Sequence, residues 1–345
     1  MRRRIGRHPV KNSGSKADES CVLRCQRLVC QASVVIVAAS LIALVSPANA
    51  RAHGDRTPVS ELGSAWQFSA PLLVGIAITL LLFAQAYLRL RRRGRSDHAD
   101  WARPVLFGLG IAVLVFALVS PLDAIGEEYL FSAHMLQHVL IADVAPALII
   151  VALRGPLTFF FLPRQALRFL ASRERLRQLF GLVLRPKLAF AIWVIVMGGW
   201  HVPLAYDFAL ANAWAHYIEH FSFVVAGMLV WAQLIDPARR YELTLQGRAL
   251  YAVALFAAGH VVIHPALFAS GPIYRAYAEQ DERLFGLSAL SDQYWGGAVM
   301  TIEQVLTLGA FLIILLWPYV HPRGHQREYP DPGRTFSLRA GVRDQ

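Results

Sequence analysis

The chain has 345 residues, 56% of them hydrophobic and only 17% charged, whereas a soluble domain carries roughly a quarter charged residues. Its mean hydropathy is +0.42, and its apolar residues fall in blocks of about 20, the length that spans hydrocarbon, which excludes a water-soluble globule. The net charge of +11 sits mostly in Arg residues flanking alternate ends of these blocks; it reads as membrane topology, and no nucleic-acid partner is expected.

In chain order, residues 1–27 are basic and polar and residues 28–46 apolar. Ala48-Asn49-Ala50 then offers a small-x-small cleavage site, so residues 1–50 resemble a secretory signal peptide or, uncleaved, a signal anchor. The three cysteines, Cys21, Cys25 and Cys30, all lie in this segment. Its removal leaves neither a disulfide framework nor thiolate metal ligation. The remaining apolar blocks, 69–90, 104–122, 133–152, 187–203, 215–234, 247–268 and 295–319, predict an all-α, polytopic transmembrane helix bundle over 51–320. It has seven spans, or eight if the N-terminal segment stays. Residues 321–345, rich in Pro, Gly and Arg, are expected to be a disordered cytoplasmic tail.

The connecting loops set the orientation. Loops 89–103, 154–187 and 235–248 and the tail carry the arginines. The stretches 123–133, 203–215 and 269–294 are mainly acidic. Basic loops stay in the cytoplasm, which places the mature N-terminus outside the plasma membrane and the C-terminus inside. The 154–187 loop reads as one amphipathic Arg-rich helix lying on anionic lipid, with Phe169, Leu170, Leu176, Leu179 and Phe180 on its apolar side. Trp66, Trp200, Trp214 and Trp295 read as interface anchors.

Seven of the twelve histidines fall in or beside the outer halves of the predicted helices. Six form pairs at spacing i, i+4: His134/His138, His216/His220 and His260/His264. That spacing puts both imidazoles on one helix face. His201 is the seventh. Met135 adjoins His134, Met197 lies one turn before His201, and Met300 sits near the outer end of the last span. Imidazole with thioether is a set that suits copper, and intramembrane histidines usually face the bundle interior. A plainer role stands beside this one. A single intramembrane His often serves as an interhelical hydrogen-bond donor, and His201 and His264 lie next to prolines whose freed carbonyls they can satisfy.

Two acids fall inside helices. Asp143 lies about 13 Å deeper than His134 and Glu303 about 12 Å into the last span at 1.5 Å per residue. A bare carboxylate there is costly, so Asp143, His260 and Glu303 are expected to form a polar cluster below the histidines, in support of the metal site. Ser291-Asp292-Gln293 is expected to cap the last helix or to face an external partner.

Three blocks carry a family likeness. Residues 120–138 hold Ser-Pro-Leu-Asp and then Phe-Ser-Ala-His-Met-Leu-Gln-His, the run continuing to Ala145-Pro146. Residues 200–223 hold Trp-His-Val-Pro-Leu-Ala-Tyr-Asp and His-Tyr-Ile-Glu-His-Phe-Ser-Phe. Residues 270–293 run from Ser-Gly-Pro-Ile-Tyr-Arg to Ser-Asp-Gln. Together they resemble the multi-span CtaG family of cytochrome c oxidase assembly factors over roughly 66–320. The resemblance implies a seven-helix plasma-membrane protein of the respiratory chain, with no enzymatic activity of its own and with oxidase subunits and the lipid bilayer as partners. The positions that match are His134, Met135, His138, Trp200, His201, His216, His220, Asp292 and Gln293. The chain departs from the family after Met300, where Thr301-Ile302-Glu303-Gln304 stands in place of a Trp-x-Pro-Gly-like turn, and in its His260/His264 pair.

Residues and resemblance together lead to one expectation: a membrane assembly factor that handles copper at the extracytoplasmic face. The ligands would come from His134, His138, His201, His216, His220, His260, His264 and Met135, supported by Asp143, Glu303, Met197 and Met300. Two other classes fit less of the pattern. One is a membrane redox protein with b-type haem between facing histidines; the other is a copper or ion transporter coupled through Asp143 and Glu303.

Overall fold

The computed structural model describes residues 57–321; the signal-like segment with its cysteines and the tail from residue 322 lie outside them. Among the described residues the chain is all-helical, without strands. Six helices are long and apolar enough to cross a membrane: α1 (Ala70–Arg92), α2 (Ala102–Val119), α4 (Phe131–Leu153), α10 (Ala213–Ile235), α11 (Leu245–Phe268) and α13 (Ala289–Val320). A bent pair, α7 (Glu174–Val183) and α8 (Pro186–Trp200), makes a seventh if it counts as one span; its halves meet at 71°. The short helices α3 (Pro121–Glu128), α9 (Pro203–Ala211) and α12 (Arg275–Ala278) lie in the acidic connections, and α5 (Pro156–Phe160) and α6 (Arg164–Ser172) in the basic one.

The helix ends follow local chemistry. Ser69, Ser120, Thr244 and Ser288 each accept a backbone N–H from the first turn they precede, the usual way of satisfying an orphan donor. At the basic end Arg103 donates through one Nη to the carbonyls of Val151, Ala152 and Arg154 at 3.3, 3.0 and 2.9 Å, closing the last turn of α4. Asp236 ends α10 in a left-handed conformation, and its carboxylate accepts from the Arg240 and Tyr241 amides at 2.7 and 2.8 Å.

The basic loop departs from expectation. In place of one amphipathic helix the chain forms α5, α6 and α7. Pro156 and Pro163 have no N–H with which to continue a helix, and Arg173 is extended between α6 and α7. Phe169 and Leu179 still present 55% and 52% of their surface outward, with the Arg173 guanidinium over the Phe169 ring.

The centre of the bundle is the crossing of α4 and α10. α10 is the most buried of the spans, followed by α4. α4 contains one wide turn, Leu140–Val144, where the Ala145 N–H reaches back to the Leu140 carbonyl. Such wide turns are rare in helices and loosen the carbonyl ladder locally. Gly227 of α10 meets this turn: a Cβ there would stand 1.8 Å from the Ala142 carbonyl oxygen. One turn further on, the Trp231 indole donates to Asp143. On the opposite side α13 approaches through Gly296, where a Cβ would fall 2.4 Å from the Phe131 ring.

Gly227→Ala is therefore expected to cost roughly 1–3 kcal/mol through forced separation of the two helices. Gly108→Ala, at a helical position with nothing within 4 Å of the added methyl, should leave the melting temperature in detergent equal or slightly higher. Equal melting temperatures for both variants would refute the close crossing.

Candidate metal centre

His134 and His138 occupy the first two turns of α4, and His216 and His220 the first two turns of α10. The start of α4 has no cap of its own. Asp292, from the start of α13, accepts from the Phe131 and Ser132 amides at 2.6 and 3.1 Å and from the Ser132 hydroxyl at 2.5 Å. This corrects the expectation for Ser291-Asp292-Gln293. Ser288 caps α13, while the buried Asp292 fixes the neighbouring helix that bears two of the histidines. Gln293 is buried too and accepts the Ile273 N–H at 2.7 Å. Gly126 lets α3 lie directly on α4, since a Cβ there would stand 2.9 Å from the His134 Cα.

The four imidazoles converge. One donor atom from each of His134, His138, His216 and His220 lies within 4.8 Å of the others. The rings are 0%, 3%, 8% and 7% exposed. Along each helix their centroids are 4.2 and 4.1 Å apart; across the helices they are 5.2 Å (His134–His216) and 5.3 Å (His138–His220) apart. His134 Nε2 and His216 Nε2 stand 3.2 Å apart. Two imidazole nitrogens on one tetrahedral ion, each ~2.0–2.1 Å from it, are separated by roughly 3.3 Å.

Groups from the acidic connections hold two of these rings. His216 Nδ1 donates to Glu127 Oε1 of α3 at 2.5 Å, which turns Nε2 toward the other rings. A carboxylate behind a ligating imidazole is the usual orienting arrangement. His134 Nδ1 contacts the phenol oxygens of Tyr277 and Tyr206 at 2.9 and 2.8 Å. The Tyr277 hydrogen is committed to the Gly126 carbonyl at 2.6 Å, so its oxygen is left to accept. An Nδ1–H on His134 thus finds two acceptors, and its Nε2 presents a lone pair toward His216 Nε2. Burial pushes both phenols well above the ordinary tyrosine range, so they remain neutral hydroxyls.

Several remaining donor atoms make no hydrogen bond. Both ring nitrogens of His138, Nε2 of His220, Nε2 of His201 and both oxygens of Glu219 are buried without a hydrogen bond. Glu219 Oε1 lies 3.8 Å from His138 Nε2. Buried polar atoms without partners cost about 1–3 kcal/mol each, and a concentration of them around converging imidazoles is what a cation would relieve.

The other predicted residues fall elsewhere or at the edge. His201 takes the plainer role through Nδ1, which donates to the Met197 carbonyl at 2.7 Å; its ring centroid is 6.2 Å from that of His138. His260 and His264 stay on α11, His260 stacked on Phe256 and His264 tilted against Phe268, with His264 exposed. The side chains of Met135 and Met300 pack in an apolar cluster with Phe131, Ile263 and Ala266, Met135 against Gly296. Met197 is half-buried against the main core. Of the expected lower cluster, Asp143 pairs with Trp231, Glu303 is buried on α13 with one oxygen unpartnered, and the His260 Nδ1 makes no hydrogen bond.

Four residues of the site were not singled out from the sequence: Glu127, Glu219, Tyr206 and Tyr277. Glu219 had a signal, because it lies three residues after His216 and so shares its side of α10. Glu127 counted only as a loop acid. Nothing local marks the two tyrosines.

A family model described as cytochrome c oxidase caa3 assembly factor (Caa3_CtaG) matches residues 81–321. The chain belongs to this family. No curated protein and no solved structure matches it significantly.

Beside the site, Asp123 of α3 accepts from the Gln137 amide at 2.5 Å. Burial, then the nearby Glu127 charge, pushes its carboxyl up to about 7. A carboxyl raised above its unfolded value of about 3.9 favours the folded state while protonated, and that contribution is lost as pH rises from about 4 to 7. Asp123→Asn is therefore expected to flatten the stability decline of the wild type across this window. Parallel melting-temperature profiles for the two proteins would show that Asp123 does not titrate there.

Proposed function

We propose that this member of the caa3 assembly-factor family holds a copper ion on His134, His138, His216 and His220 at the extracytoplasmic side of the plasma membrane and delivers it to an oxidase subunit. The observation that carries the reading is the convergence of four buried imidazoles from two spans, with several of their nitrogens left without a partner. Imidazole donors suit copper, and copper is the cargo that oxidase assembly would require. His201, its ring centroid 6.2 Å from that of His138, is a further imidazole at the edge. The basic loops put the opposite end of the bundle in the cytoplasm, so the pocket lies toward the side where envelope copper arrives. The site's groups read as ligands and their holders, which fits a carrier better than an enzyme.

The haem alternative fits the geometry less well. A b-type haem takes two axial imidazoles on opposite faces of a macrocycle. Four donor atoms within 4.8 Å of one another leave no slot for the ring between them.

Purified protein is expected to retain about one copper per chain, and His134→Ala/His138→Ala to lose it and to lower oxidase activity in cells. Wild-type protein free of copper after loading, together with normal oxidase activity in the double variant, would overturn the proposal. A Soret band in the purified protein would transfer the site to haem.

A further inference from the structure

We infer that Glu219 makes the pocket selective for a divalent over a monovalent cation. The inference rests on the metal-binding reading above and specifies the ion's charge.

Glu219 lies on α10 between His216 and His220, its side chain only 1% exposed. Neither oxygen has a hydrogen bond, and Oε1 is 3.8 Å from His138 Nε2. A structural carboxylate at that depth would be expected to collect N–H or O–H donors. The nearest charged or titratable contact of Glu219 is His138, whose two ring nitrogens also make no hydrogen bond. A cation shared with these rings is the partner the carboxylate lacks.

Charge then decides which cation. Four neutral imidazoles contribute none. Glu219, between His216 and His220, contributes one negative charge once it gives up its proton to ligate a cation, and Glu127, bound to His216 at 2.5 Å with its side chain 35% exposed, contributes a second, partly screened one. A divalent ion balances them, whereas a monovalent ion leaves one anion uncompensated next to a buried site, where charge imbalance is expensive. The donor chemistry points the same way. Carboxylate and imidazole are hard to borderline ligands, while a cuprous ion gains most from sulfur. The nearest thioether in sequence, Met135, packs against Gly296 on the far side of α4. Zn(II) and Cu(II) therefore suit the pocket better than Cu(I).

The test compares the purified full chain with Glu219→Gln, which keeps the shape and removes the charge, and with Glu219→Asp, which keeps the charge. Each is stripped by chelation and titrated with Zn(II) or Cu(II), and with Cu(I) under anaerobic reductant, against competing chelators. Glu219→Gln is expected to weaken divalent binding by about 10- to 100-fold and to leave Cu(I) affinity within the same order of magnitude. Glu219→Asp should retain the divalent preference, which also covers failure of the Gln variant to fold. Equal losses for both charge states, or no loss for either, would overturn the selectivity while leaving the four-histidine site standing. Absence of any copper on wild-type protein, in either oxidation state, would instead remove the metal-binding reading itself.

Discussion

The site depends on how closely two helices cross. Gly227 presses into the Ala142 carbonyl, at the one turn of α4 whose hydrogen-bond ladder is widened. From that crossing, Ala142, His138 and His134 follow one another at intervals of four along one face of α4. On α10, Gly227, Phe223, His220 and His216 step along the facing side. A larger residue at position 227 would move the helices apart along this whole seam, and the imidazoles a turn or more above it would no longer be neighbours. The Trp231–Asp143 hydrogen bond below the crossing fixes the register of the same pair.

Holding four imidazoles in a dry space is costly unless their nitrogens find partners. The structure provides for the upper two rings and not for the lower ones. His216 has Glu127, and His134 has two phenols that themselves lean on Gly126 and on each other. Both ring nitrogens of His138, Nε2 of His220 and both oxygens of Glu219 make no hydrogen bond. The bundle tolerates this deficit because the surrounding packing is tight: Asp292 pins the start of α4, and the ring of Phe223, wholly buried, sits 4.6 Å from His138. An ion that binds the folded state alone adds stability by mass action, and here it would do so by satisfying atoms that the protein leaves open.

The spans and the histidine stripes were legible in the sequence because apolar block length and i, i+4 spacing are local properties. Which stripes meet was not. His260/His264 shows the same spacing as the other two pairs, yet its helix turns those rings onto Phe256 and Phe268. Spacing fixes which face of a helix a side chain occupies; it says nothing of what that face touches. The contact is written instead in Gly227 and Gly126, whose lack of a Cβ permits backbone approach, and a lone glycine in an apolar run carries no partner's address. Asp292 misled for the same reason. It stands where a residue ordinarily caps its own helix, and its carboxylate reaches amides about 160 positions earlier in the chain. Met135 was read by adjacency to His134, but adjacent helical residues diverge by about 100°, which turns its thioether toward α13.

The two halves of the ring cluster differ in what positions them. The upper rings are set by α3, α9 and α12, short helices in the connections that span nothing and whose bonds to the rings come from side-chain ends. The lower rings and Glu219 are set by the spans themselves, where backbone ladders and close packing leave little freedom. A cation held by all four rings would therefore draw on two kinds of support, one rigid and one peripheral. Loss of the Glu127 or tyrosine contacts would release the upper rings without disturbing the seam that holds the lower ones. The Glu219 carboxyl, between His216 and His220 on α10, stays with the rigid part. The carboxyl of the pocket is thus built into the bundle, while the orientation of its upper rings is delegated to the loops.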